Sequence, residues 1–206
     1  MARLDFHDRV IILSDSILKH CEPPYGSTFI PISGAKIETF TRAARNNTYN
    51  FSVFDLCIIH VGTNDVDNYF KNQRASVRHY RNTTESAIAH HIFNNFMLLI
   101  LEIRSLNRDI KIIISGIIPR PKTFSFSSNL TIAVNKKLRK LASESGYLHF
   151  HTTYTSFLFN RRPKPHMYDQ HDWYQTHLSY AGTITMQLIV KNLVSLFEQG
   201  RLSFHN

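Results

Sequence analysis

Acyl transfer needs a hydroxyl nucleophile, a base to take its proton and donors aimed at the developing oxyanion. The 206-residue chain carries candidates for all three. Ser16 ends the Ser-Asp-Ser turn that follows the short apolar run Arg9-Val-Ile-Ile-Leu13 and can attack a carbonyl, and His177, in the last loop, can act as its base. The Gly34 backbone N–H, the Asn64 side-chain amide and the Ser16 backbone amide can line an oxyanion hole, where each such donor is typically worth about 10²- to 10³-fold in rate. Plainer roles are open to each residue: Ser16 as a helix N-cap, Asn64 and Asp65 as turn formers after Gly62, Gly34 as a strand break. His166, His171 and His177 have no cysteine or HExxH spacing beside them, so neither a metal nor an organic cofactor is called for.

The elements that must hold these residues alternate. Arg9–Leu13 reads as a buried strand, Thr28–Ile32 as a second strand with Pro31 marking an edge, and Asp55–Val61 as a central strand covered on both faces. Ile110–Ser115 and Tyr147–His151 complete a set of five. Between them, helical spacing appears over Lys36–Arg45, Thr83–Leu106 and Asn129–Ser145, and a last helix runs from near Tyr180 to about Gln199. Strand and helix in alternation imply a five-stranded parallel sheet with helices on both faces, a three-layer α/β/α sandwich. In such sheets the ligand site lies outside the carboxyl ends of the strands, and the segments after the first three strands carry Ser16, Gly34 and Asn64. His60 ends a buried strand and reads as a hydrogen-bonded packing residue. Pro119-Arg-Pro121 must be a loop, and Tyr154–His171 is a long, strongly basic one.

The length fits one domain spanning residues 1–206. Charges at Asp5, Asp8 and Arg9 break up any signal peptide, no apolar run reaches the 18 or so residues of a membrane span, and the two cysteines suit reduced thiols, so a cytoplasmic or nuclear setting is expected. With 24 basic against 15 acidic residues the net charge is +9, which favours anionic partners. Lys136, Arg139 and Lys140 share a helix face by i, i+3, i+4 spacing, and Arg161, Arg162 and Lys164 cluster before His177. Tyr154, Phe157, Phe159, Tyr168 and Trp173 nearby would allow base stacking, so RNA is a candidate partner beside a small ester substrate.

Four stretches in order, Ile11-Ile-Leu-Ser-Asp-Ser16-Ile, Ile32-Ser-Gly34-Ala, Gly62-Thr-Asn64-Asp and His177-Leu-Ser-Tyr-Ala-Gly182, resemble the four blocks of the SGNH (GDSL-like) hydrolases. The resemblance frames nearly the whole chain and implies the flavodoxin-like SGNH fold, with Ser16 as nucleophile, His177 as base and Ser16, Gly34 and Asn64 in the oxyanion hole. Ser14 stands where the first block has glycine, a change tolerated where the backbone is not left-handed. Tyr174 stands where the family has its catalytic aspartate, three residues before the histidine. Asp172 or Asp169 can substitute if the loop is shaped differently, or a backbone carbonyl can orient the ring as a Ser-His dyad; the sequence leaves these open. The Ile114-Ser-Gly-Ile-Ile-Pro-Arg-Pro121 stretch is similar to SGNH-type domains of retroelement-encoded proteins, regarded as esterases, and to the Oskar-type domain, a non-catalytic RNA-binding module. Two functions are therefore carried forward: a serine ester hydrolase working through an acyl-enzyme on small acyl or acetyl esters, and an inactive SGNH-like domain that binds RNA.

Overall fold

The computed structural model describes residues 9–74, 84–172, 175 and 177–204. Five strands form one parallel sheet: β1 Val10–Ser14, β2 Thr28–Pro31, β3 Leu56–His60, β4 Lys111–Ser115 and β5 Leu148–His151, in the order β2-β1-β3-β4-β5. Ile12 of β1 sits opposite Phe29 of β2 on one side and Ile58 of β3 on the other, and Ile58 in turn faces Ile113 of β4. Every residue of β1 and β3 is buried, as expected for β-branched runs covered on both faces. Pro31 closes the edge strand β2, as its missing N–H requires.

The period of two along each strand divides the core. Ile11, Leu13, Cys57, Ile59, Ile112 and Ile114 face the layer built from α1 Ile37–Arg45, α2 Thr63–Arg74, α3 Glu85–Leu106 and α4 Phe124–Ser143, where Phe40, Phe96 and Leu138 meet them. Val10, Ile12, Ile58 and Ile113 face the opposite layer, where Met186, Val190, Leu193 and Val194 belong to the last helix. Full burial of each such side chain contributes roughly 1.5–3 kcal/mol. By length and composition α3 could cross a membrane, but it buries Ile88, Ile92, Phe96, Leu99 and Ile103 between α1 and α4, as a core helix does. Cys21 and Cys57 are both buried and free.

Three segments differ from the sequence expectation, each for a physical reason. Thr63-Asn-Asp65, a turn by composition, is the first turn of α2, a place where polar side chains satisfy the open N–H groups of a helix as readily as they form turns. α4 starts at Phe124 rather than Asn129, because burial of Ser127, Leu130 and Val134 outweighs the weak helix propensity of its serine-rich first turn. The long basic loop contains α5 Thr153–Ser156 and a hairpin of β6 Leu158–Phe159 with β7 Arg162–Pro163, before the last helix, α6 Tyr180–Glu198. Its turn residues, Asn160 and Arg161, have φ of 48° and 62°, the left-handed pair that a two-residue hairpin needs, without the usual Asn-Gly signal.

Candidate active site

The carboxyl ends of β1, β2 and β3 bring three of the candidate residues to one edge. Ile32 N donates to Ser14 O at 2.8 Å and Asp15 N to His60 O at 3.2 Å, so the chain leaves β1 held on both sides. Ser14 belongs to the strand and donates through its hydroxyl to Asp15 O, so it sits in the extended backbone that the sequence reading required of a serine at this position. Ser16 opens a one-turn 3-10 helix whose N-cap is Asp15: the Asp15 carboxylate accepts from Ile17 N at 3.0 Å. The capping role open to Ser16 by sequence thus falls to its neighbour, and the half-buried Ser16 hydroxyl is left for other work. As the first residue of that turn, Ser16 has an N–H with no intrahelical partner. Gly34 has a φ of +72°, which only glycine adopts without strain, and the following Ala35 carbonyl accepts from Asn64 Nδ2 at 3.0 Å. That bond uses one of the two amide hydrogens of Asn64 and docks the second block on the third.

His177 is held by a paired backbone. Asp169 N donates to His177 O at 3.0 Å, Ser179 N donates to Met167 O at 3.0 Å, and Tyr168 bridges Leu178 between them. Between Asp169 and His177 the Gln175 N–H donates to Asp172 O at 2.8 Å, and the φ of Gln175 is +48°. This turn returns the Asp172 carboxylate to His177: one oxygen, Oδ2, accepts from both the His177 backbone N–H and ring Nδ1, each at 3.0 Å. Donation from Nδ1 makes Nε2 the basic nitrogen of the ring. The Asp169 carboxylate, the other candidate orienter, accepts from His171 N at 2.9 Å. The Asp172 side chain is 15% exposed and that of His177 52%, a shielded carboxylate behind an accessible base. Tyr174 and Trp173 lie outside the described residues.

Beneath these loops lies a buried polar cluster that the sequence reading did not single out. The Arg120 guanidinium, between Pro119 and Pro121, is ion-paired with Asp67 of α2, and both are almost fully shielded. His60 is fully buried with Nδ1 at 2.9 Å from Ser115 Oγ, a packing role, and burial pushes its pKa down to about 4. Burial pushes the Asp15 carboxyl up to about 6, against the opposing pull of its bond to Ile17, of Arg120 and of Thr63. A carboxyl that holds its proton better folded than unfolded contributes stability below its unfolded value, and that contribution is lost as the pH rises through about 6. Asp15→Asn keeps the acceptor for Ile17 and has no charge to desolvate, so it is expected to be more stable than the wild type at pH 8, by at most roughly 3 kcal/mol. Thermal unfolding at pH 4 and pH 8 checks this: a gain of several degrees at pH 8 only is the expected result, and equal melting at both would contradict it.

No protein-family model matches the sequence, and a search of the curated proteins finds no relative. Solved structures do match. A candidate acylhydrolase from Bacteroides fragilis aligns with a TM-score of 0.70 at 16% identity, over 92% of this chain and 88% of that one. The lipase Lip_vut3 from a goat rumen metagenome gives 0.68 at 13% identity, over 89% and 95%. A member of the lipolytic G-D-S-L family from Veillonella parvula gives 0.58 at 15% identity, over 94% and 98%. The fold is that of the SGNH (GDSL-type) hydrolases. At these identities the likeness is one of fold. In the SGNH frame Ser16 follows β1, Gly34 follows β2, Asn64 opens α2 after β3, and His177 precedes α6.

The basic residues singled out by the sequence lie on two separate elements. Lys136, Arg139 and Lys140 are exposed along α4, but Arg139 stacks on Phe150 and donates to Thr152, and Lys140 lies 3.8 Å from Glu144. Arg161 and Arg162 project from the hairpin, while Lys164 Nζ donates to Ser156 O at 2.9 Å. The stacking surface expected of the aromatic residues needs correction: Tyr154, Phe157 and Tyr168 are buried, and Phe157 and Tyr168 pack edge to face, because this segment folds back under α6. Phe159 alone of the described aromatics in that set is exposed. Among the described residues no three His, Cys, Asp or Glu side chains lie together as metal ligands would.

Proposed function

We propose that the protein is a serine ester hydrolase. The observation that carries this is the 3.0 Å contact between Asp172 Oδ2 and His177 Nδ1, which supplies the orienting carboxylate from an unexpected position. His177 Nε2 takes the Ser16 proton as Oγ attacks the ester carbonyl, and the negative charge moves to the carbonyl oxygen, where Ser16 N–H, Gly34 N–H and the second amide hydrogen of Asn64 receive it. Collapse expels the alcohol, protonated by His177, and leaves an acyl group on Ser16. Water, deprotonated by the same nitrogen, then releases the acid. The exposed histidine and half-buried serine favour small acyl or acetyl esters over a long chain needing a deep tunnel. The acylhydrolase and lipase names of the structural neighbours support the ester-hydrolase class.

The test is hydrolysis of p-nitrophenyl acetate by the wild type beside Ser16→Ala. Because 12 histidines can hydrolyse an activated ester slowly by themselves, the expected result is saturable turnover that falls to this background in the variant. An RNA-binding pseudo-hydrolase of the Oskar type is the second reading, supported by the net charge of +9 and the exposed Lys136, Arg161 and Arg162. Turnover equal in the two proteins, with RNA affinity falling steeply as salt rises, would favour that reading and contradict the first.

A further inference from the structure

Four loops meet at the carboxyl edge of the sheet, and one buried cation touches or faces all of them. Arg120 reaches across the ends of the strands to Asp67 on α2, whose first turn carries Asn64. Its own loop is fastened to the base loop by Tyr168, whose hydroxyl donates to Pro119 O and whose backbone bridges Leu178, the residue after His177. The prolines on either side fix its backbone. Burial lowers the Arg120 pKa to about 10, so it remains charged at neutral pH, and the acids facing it are Asp15 of the nucleophile turn, Asp172 behind His177 and the Tyr168 phenol. His177 itself is faced by Asp172 and, at longer range, by Asp15. Arg120 Nε and Asp67 Oδ1 are buried without a hydrogen-bond partner among the described residues, so the cluster is more polar than packing alone requires.

We propose that Arg120 is a positioning residue of the hydrolase: its buried guanidinium, anchored on Asp67, and its loop, fastened through Tyr168 to the segment that carries His177, hold the Asn64 helix and the His177 segment in register and place a positive charge beneath the site. The proposal rests on the hydrolase reading. A purely structural tie would hold the loops through shape, whereas a charge acts on the proton equilibrium of the base as well. Removing the cation makes the base easier to protonate, and removing its anionic anchor does the opposite.

The test compares Arg120→Met, Arg120→Lys and Asp67→Asn with the wild type, using kcat and the acid limb of the kcat/KM profile on p-nitrophenyl acetate. Arg120→Met is expected to lose roughly 10- to 100-fold in kcat with KM little changed, and to move the limb up by about half a pH unit. Arg120→Lys restores the limb and part of kcat, and Asp67→Asn moves the limb down. A limb that stays in place in both Arg120→Met and Asp67→Asn would overturn the proposal, and if Arg120→Met fails to fold, the Asp67→Asn limb decides alone. Absence of Ser16-dependent turnover in the wild type would instead fail the hydrolase reading itself, and the proposal with it.

Discussion

Asp172→Asn is expected to lower kcat for ester hydrolysis by roughly 10²- to 10⁴-fold. The carboxylate does two things for His177. It accepts from Nδ1, so that Nε2 faces the chemistry as a base, and it sits 3.0 Å from a ring that becomes positively charged when the Ser16 proton arrives. An asparagine keeps the shape but has no charge, and its amide can donate to Nδ1, which selects the tautomer with the proton on the wrong nitrogen. The same carboxylate oxygen accepts from the His177 backbone N–H, a bond the asparagine carbonyl can retain, so the loop should survive and KM should stay within about twofold. A variant with nearly wild-type kcat would show that the ring is oriented by something else and would leave a Ser-His dyad.

Asn64→Ala is expected to cost about 10²- to 10³-fold in kcat, the usual effect of deleting one oxyanion donor. Asn64 also donates to Ala35 O, so part of the loss could come from loosening the Gly34 loop. Asn64→Asp has the same shape but can donate neither to the oxyanion nor to Ala35 O, and its charge repels both, so its kcat should fall at least as far. A variant whose KM rises while kcat holds would mean that Asn64 binds the ground state and the transition state equally, and would remove it from the oxyanion hole.

Much of this was legible in the sequence because it depends on short-range pattern. The apolar runs Arg9–Leu13, Asp55–Val61 and Ile110–Ser115 can only be strands of a doubly covered sheet, and the sheet edge then follows for Ser16, Gly34 and Asn64. The orienting acid was open because it depends on loop shape: whether a carboxylate five residues before a histidine reaches its ring is decided by the left-handed Gln175 and the Asp172–Gln175 turn, neither of which has a glycine or proline to announce it. Arg120 was passed over for a similar reason. Composition marks Pro119-Arg-Pro121 as a loop, yet only the crossing of β4 next to β3 places that loop above Asp67 and Asp15. The signal available was positional, a cation confined between two prolines just beyond a central strand's carboxyl end. Tyr154, Phe157 and Tyr168 misled because aromatic residues in a basic segment look the same whether they stack on a partner or pack inside; here Tyr154 is buried, and Phe157 and Tyr168 fill the space beneath α6.

The most direct measurement is reaction of the protein with a fluorophosphonate, followed by mass spectrometry of the peptide that contains Ser16. The reagent captures only a serine whose proton is being taken by a neighbouring base, and the tetrahedral adduct places its oxygen in the oxyanion hole. One adduct per chain, on Ser16, slowed in Asp172→Asn and absent from Ser16→Ala, is the predicted result. No adduct on the folded wild type, or the same labelling in Ser16→Ala, would contradict it.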